Sequence, residues 1–264
     1  MGRQSSSSGF TIIESLLFLA ISGVLVMALI VGTGASINIQ RYRDAVESFK
    51  GLLQDQYSAL SSVRNERDNN WTCNSLAQTQ EQVGGEVRGQ SDCVLLGRYV
   101  TVVNGDITLY SVVGHSSTST PVTTDDITSL QNNYVLNVAT GSQETKVMEW
   151  GAKISWPLSG SGARPAGTER SIALLFIRSP DSGQIYTFTS DTVPQDPTPA
   201  TLRSMLVPGV AIPGQSQRTI CIDSNGAFFN TDLSVFVSDY ANSPSSIETR
   251  SNSYITSIGG NTQC

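Results

Sequence analysis

Residues 9–14 read Gly-Phe-Thr-Ile-Ile-Glu and place one carboxylate, Glu14, at the head of a long apolar run. After Glu14 no charged residue occurs until Arg41. A carboxylate at the centre of a bilayer costs about 2.5–3.5 kcal/mol on insertion scales, so an acid in such a run is expected to have a partner. The first turn of a helix itself favours an anion. A cut between Gly9 and Phe10 would supply a stronger partner, a cationic amine on Phe10 one helical turn before Glu14. That pair can neutralise within one chain or between neighbouring chains. Placement of Glu14 in the headgroup layer is the alternative that needs no partner.

The second set of reactive side chains is Cys73, Cys93, Cys221 and Cys264, an even number well separated from the apolar run. In an exported domain these are expected to form two disulfides. Three pairings are open; Cys73–Cys93 and Cys221–Cys264 are favoured because each closes a local loop and the second tethers the C-terminus. No C-x-x-C pair exists and His115 is the only histidine, so no metal site is expected. His115 lies in the polar stretch Gly114–Thr120, read as a surface loop. Asp125-Asp126 reads as a solvated turn, and Asp223-Ser-Asn-Gly226 as a turn that lacks the remaining ligands of a calcium loop. The chain has no G-x-S-x-G, P-loop or H-E-x-x-H motif, so neither an enzyme nor a cofactor is expected.

The elements that position these residues follow from periodicity. Phe10 to Ile39 is long enough to span a bilayer as a helix, at about 45 Å, and must tilt or protrude. A cleavable signal peptide has a shorter apolar core, so a membrane anchor is the better reading. Arg3 and the initial amine stand against Arg41 and Arg43, nearly a draw for orientation. Abundant Ser, Thr, Asn and Gly with few charges after residue 70 mark that part as exported, which leaves the leader cytoplasmic. Gly23, Gly32 and Gly34 are candidate bending or close-packing points in the run. Beyond it, Tyr42, Val46, Phe49, Leu53, Tyr57, Leu60 and Val63 fall on one helical face, with Asp68-Asn69-Asn70 as the expected stop. Glu47 has no basic partner four residues on, so ion-pair support for this helix is thin.

Residues 71–264 are long enough for one domain with its own core. They hold ten Lys and Arg against sixteen Asp and Glu, a net charge of −6. Strands are predicted at Cys93–Val103, Ile107–Val113, Tyr134–Ala139, Lys146–Trp156, Ser171–Arg178, Ile185–Thr189 and Arg218–Asp223. Two hairpins are expected. One joins Ile172–Ile177 to Ile185–Phe188 through Ser179-Pro-Asp-Ser-Gly183, and the other joins Thr219–Ile222 to Ala227–Phe229 through Asn225-Gly226. The Pro-bearing segment Val193–Gly214 reads as loop. The expected fold is α+β, a long N-terminal helix packed on an antiparallel sheet. Its divisions are a leader at 1–9, a membrane half of the helix at 10–39, an amphipathic half at 40–70 and a β-rich exported domain at 71–264.

The stretch Gly9-Phe10-Thr11-Ile12-Ile13-Glu14-Ser15-Leu16-Leu17 resembles the processing signal of type IV pilins and pseudopilins. The resemblance covers roughly the first 40 residues and is specific, because leader, Gly, Phe, spaced Glu and apolar run occur together. It implies that a prepilin peptidase cuts after Gly9 and methylates the amine of Phe10. It also implies that Glu14 pairs with the amine of a neighbouring subunit during assembly, and that the globular part is pilin-like. The helix-kinking Pro of many pilins is missing here; the first proline is Pro121. The favoured cysteine pairing is similar to the C-terminal disulfide-bounded region of pilins. The Ile185 and Cys221 hairpins, with the helix end near Val63-Arg64-Asn65, resemble minor pseudopilins of type II secretion systems.

These implications define the expected partners: the peptidase, other pilin subunits, the pilus assembly machinery and, before assembly, membrane lipid. The chain is expected as a single-pass inner-membrane protein that passes into an extracellular filament. A domain larger than that of a typical major pilin points to a minor subunit. A pseudopilin of a secretion or competence system, or a filament-displayed adhesin or DNA-binding subunit, is the alternative. A net-negative domain offers phosphate no global attraction, and Arg164 and Arg170 are the only close basic pair in the central region, so nucleic acid is not expected.

Overall fold

A computed structural model of the chain describes residues 11–62, 71–81, 91–117, 125–158, 170–191, 193–194, 197–206, 218–223, 233–238, 241–258 and 264. The first element is a single helix, α1 (Ile12–Ser61), about 75 Å long at 1.5 Å per residue. It runs unbroken through Gly23, Gly32 and Gly34, and a Cβ at any of the three meets, beyond the helix's own adjacent backbone, none of the described residues within 4 Å. The helix is described as far as Ser61. Ser61 and Ser62 turn their hydroxyls back onto the carbonyls of Tyr57 (2.8 Å) and Ser58 (2.9 Å), and such local bonds compete with helix propagation. Val63 and the expected stop at Asp68-Asn69-Asn70 lie outside the described residues.

In chain order the first strands are β1 (Trp71–Cys73), β2 (Thr79–Glu81), β3 (Cys93–Val103), β4 (Asp106–Ser116), β5 (Tyr134–Val138) and β6 (Glu144–Val147). The rest are β7 (Lys153–Ser155), β8 (Ser171–Arg178), β9 (Ile185–Ser190), β10 (Arg218–Asp223), β11 (Leu233–Val237) and β12 (Ile247–Ser251). The described residues also form the short helices α2 (Asp126–Asn132), α3 (Pro199–Met205) and α4 (Asn252–Ser257). All strand pairings among the described residues are antiparallel, and the architecture is α+β. The larger sheet has the order β5-β4-β3-β8-β9, with β6 also pairing along β4. The smaller has the order β12-β11-β10-β7, and β1 with β2 forms a separate ribbon.

The larger sheet is covered on both faces, which explains the unbroken apolar run of β8. Ile172, Leu174 and Phe176 join the core shared with α1 and the smaller sheet. Ala173, Leu175 and Ile177 alternate onto the other face, against Ile127 and Leu130 of α2 and Leu202 and Met205 of α3. At Gly97 strands β3 and β8 approach so closely that a Cβ would lie 2.5 Å from the Phe176 carbonyl oxygen. The β3–β4 turn is Asn104-Gly105, both at positive φ (53° and 86°), as a two-residue type I′ hairpin requires.

The outer half of α1 is seated by one buried face, Tyr42, Val46, Phe49, Leu53, Tyr57 and Leu60. Each fully buried Leu, Val or Phe side chain contributes about 1.5–3 kcal/mol, so packing rather than helix propensity fixes this half. Tyr57 meets Phe176 edge to face at 5.1 Å. Thr187 uses its hydrogen on the Ala241 carbonyl (2.8 Å), so Tyr57 donates to Thr187 at 2.7 Å; burial pushes this phenol up to about 12. Near the other end, Tyr42 donates to the Ile222 carbonyl (2.8 Å) and accepts from the Leu233 amide (3.0 Å). Glu47 does have a basic partner, Lys50, three residues on rather than four.

Several expected strands and loops differ in the structure. Lys146–Trp156 is not one strand: β6 and β7 belong to different sheets and are separated by a 3-10 turn at Glu149–Gly151. Strand β10 pairs with β11 and β7; the expected partner Ala227–Phe229 and the Asn225-Gly226 turn lie outside the described residues. The segment read as loop from Val193 contains α3. Thr198 caps it by accepting from the Thr201 amide (3.2 Å), Pro199 fits its first turn, and Leu202 and Met205 anchor it. The Ser179–Gly183 hairpin forms between β8 and β9 in the expected place, with Arg178 opposite Ile185.

Candidate functional site

The acidic head of α1 is built by its own cap. Thr11 is the N-cap, and its Oγ1 accepts from the Glu14 amide at 3.3 Å. Thr11-Ile-Ile-Glu14 therefore has the spacing of a capping box, a signal legible in the sequence itself. Only half of the box forms, because among the described residues nothing bonds the Glu14 carboxylate. Gly9 and Phe10 lie outside the described residues.

Around and beyond Glu14 the helix is apolar on every side and uncovered by this chain. Leu16, Leu17 and Phe18 are each 60% exposed or more, and Leu29, Ile30 and Val31 more than 60%. None of its most apolar eighteen-residue window is buried, and the helix is long and apolar enough to cross a membrane. The first buried side chain is Tyr42, just past the end of the apolar run. One helix thus has two surfaces of different needs: a naked cylinder with one acid at its head, and a face fixed to the folded part. A helix apolar all round is stable only in lipid or among other apolar surfaces, and none of the described residues covers this one.

The cysteines join as Cys73–Cys93 and Cys221–Cys264, with Cα separations of 5.9 and 5.5 Å. The first links β1 to the start of β3. The second links buried β10 to the C-terminal residue, whose amide donates to Asn252 Oδ1 at 2.7 Å. Among the described residues no group of three His, Cys, Asp or Glu is placed to hold a metal ion.

Asp125 and Asp126 do not form a solvated turn. Asp125 caps α2 by accepting from the Thr128 amide (2.9 Å), and Asp126 accepts from Ser182 and from the Tyr186 hydroxyl (2.9 Å). Asp126 thereby clasps α2 onto the β8–β9 hairpin. The Ser182 hydrogen bond holds the Asp126 carboxyl below its ordinary value, while burial, with Asp126 beside it, pushes the Tyr186 phenol up to about 12. A depressed carboxyl contributes stability above the ordinary Asp range and loses it as pH falls through the folded value. Urea midpoints measured from neutral to acid pH should therefore fall on the acid side, and Asp126→Asn should flatten that part of the profile.

His115 lies within β4 opposite Cys93 and Val135, not in a loop, and its Nδ1 is buried without a hydrogen-bond partner. Arg170 is buried and donates to Asp191 Oδ1 (3.0 Å) and the Thr219 carbonyl (2.7 Å). Asp191 also pairs with Arg218 at 2.8 Å. Arg170 is thus a structural link between the sheets and not part of a phosphate-facing patch; Arg164 lies outside the described residues.

One feature gave no sequence signal. Trp150 adopts φ 56°, ψ 22° in the turn between β6 and β7, and 59% of it is exposed. A left-handed conformation costs a bulky residue about 1–3 kcal/mol and persists only where surrounding structure enforces it. The Arg41 guanidinium sits 4.8 Å from the ring centroid, and Ser48 donates to the neighbouring Glu149 at 2.9 Å. Comparisons with protein-family models, with curated proteins and with solved structures found no match to this chain.

Proposed function

We propose that this chain is a structural, minor subunit of a type IV pilus or a related filament. The observation that carries the reading is the pairing of two features in α1. A Gly9-Phe10 junction and a spaced Glu14 head an apolar half that none of the described residues covers, while the outer half is bound into a folded domain. In this reading the peptidase cuts between Gly9 and Phe10 and methylates the new amine. The subunit waits as a single-pass protein of the inner membrane, with its leader cytoplasmic and its domain exported. On assembly the apolar half exchanges lipid for the helices of neighbouring subunits, and Glu14 meets the amine of an adjacent Phe10.

The naked half of the helix supports this exchange, because lipid and a helix bundle satisfy the same surface. A secretion or competence pseudopilus uses the same N-terminal chemistry, and deletion separates the two: loss of piliation or loss of secretion. Display of a DNA receptor is less favoured, since Arg170 is occupied inside the domain. The test of the central reading is intact-mass and N-terminal fragment analysis of protein recovered from the native envelope. N-methylated Phe10 is the expected terminus. An intact Met1, or a cut beyond the apolar run, would overturn the reading.

A further inference from the structure

The end of the domain nearest the apolar half of α1 is defined by contacts on both sides. Tyr57 packs on Phe176, which pairs with Arg98 in mid-β3, whereas Arg41 packs on Trp150 just beyond β6. Met148 donates to the Gly105 carbonyl at 2.9 Å, which brings the β3–β4 turn to the same end. Three apolar side chains there lie open: Val103 (39% exposed), Val147 (65%) and Trp150 (59%). The run Ile12–Ile39 is about 42 Å long, close to the roughly 40–45 Å of a bilayer with its headgroups. Arg41 and the indole beside it therefore lie at the outer headgroup layer when α1 spans the membrane. Tryptophan favours that layer, having an apolar body and one N–H donor. Asp44, Asp106 and Glu149 share this end with Arg41, Arg43 and Lys153, so net charge does not select the surface; the ring and guanidinium do.

We propose that Trp150, held in its strained turn and stacked with Arg41, seats the exported domain on the phospholipid headgroup layer, with Val147 beside it. The contact fixes the domain's height and tilt over the bilayer before assembly. It is made by a surface separate from the apolar half of α1. This inference rests on the reading that α1 spans a membrane, and the test separates the two.

The chain has three tryptophans, so Trp71→Phe with Trp156→Phe leaves Trp150 as the sole indole. The full chain is reconstituted in phosphatidylcholine vesicles carrying nitroxide labels at shallow or deep acyl positions. Shallow labels should quench Trp150 at least about twofold more than deep ones, with a blue-shifted emission. Quenching by aqueous iodide alone, or stronger quenching by deep labels, would overturn the proposal. A second chain, with all three tryptophans changed to Phe and Leu25→Trp, reports on α1 itself and should be quenched by deep labels. If it is, while Trp150 is not reached by shallow ones, the headgroup contact alone fails; if it is not, the membrane reading fails and takes the contact with it. Trp150→Gly in the otherwise native chain relieves the strained φ and should remove the shallow-quenched component while the domain stays folded. Unchanged lipid quenching with a lowered melting midpoint would instead make Trp150 a purely structural residue and overturn the proposal.

Discussion

Glu14→Val is expected to leave the chain processed and membrane-inserted while cutting its incorporation into filaments by about a thousandfold. Two unit charges 4 Å apart at an effective dielectric of 20 attract by about 4 kcal/mol, and each 1.4 kcal/mol is a factor of ten. The same substitution removes an insertion cost of about 2.5–3.5 kcal/mol, so the variant is more content in lipid and leaves it less readily. Both effects act against assembly. Thr11→Ala separates charge from capping: it removes the bond to the Glu14 amide, worth about 1 kcal/mol, and keeps the carboxylate. It should fray the first turn and reduce incorporation by less than about tenfold. Glu14→Gln, which keeps the shape and loses the charge, should behave like Glu14→Val. The readout is the ratio of subunit in sheared filaments to subunit in membranes. Wild-type ratios for the valine variant would sink the assembly role of Glu14.

What the sequence made legible depends on whether a segment carries its own reason for its structure. Cys93–Val103, Ser171–Arg178 and Arg218–Asp223 are read to the residue, because branched and aromatic residues run between breakers and central strands need little else. Strands β1, β2, β11 and β12 are missed. Thr79-Gln80-Glu81 and Ile247–Ser251 are short edge segments with polar faces, and neighbouring backbone rather than their own pattern makes them strands. Helix α3 hides behind prolines, although Thr198-Pro199 is a legitimate start and Leu202 and Met205 are spaced for one face. Lys146–Trp156 fails for a different reason. Its alternation is real, but Trp150 turns the chain from one sheet to the other through a left-handed residue that no propensity favours. Asn104-Gly105 is as strong a turn dipeptide as Asn225-Gly226, and it closes the β3–β4 hairpin. At the head of α1, Glu14 stands out because its cost is local, an acid in an apolar run. The Arg41–Trp150 stack does not, since it joins residues more than a hundred positions apart.

Opening the Cys221–Cys264 bridge by Cys264→Ala is expected to destabilise the domain by about 4 kcal/mol, against about 3 kcal/mol for the Cys73–Cys93 bridge, on the loop-entropy model. The sequence separations are 43 and 20 residues, and the longer closed loop restricts the unfolded chain more. In a domain of this size about 4 kcal/mol corresponds to a melting midpoint lower by roughly 8–16 °C. Location adds to the difference. Cys221 is fully buried in β10, between β11 and β7, so Cys221→Ser places a hydroxyl in a dry site and should cost more than Cys264→Ala. The bridge also holds the chain end against α4, where Ser251 caps the helix and Asn252 accepts from the Cys264 amide. Strand β12, immediately before α4, is one of the elements that seat α1: Thr249 donates to Glu47 at 2.8 Å and Gln54 donates to the Ile247 carbonyl at 3.1 Å. Losing the C-terminal tether should therefore speed amide exchange in β12 and along the outer half of α1. Losing Cys73–Cys93 should speed exchange chiefly in β1, β2 and the start of β3. Exchange measured on the two single-bridge variants decides the point. Equal acceleration of β12 in both would mean that the C-terminal bridge has no special part in seating the helix.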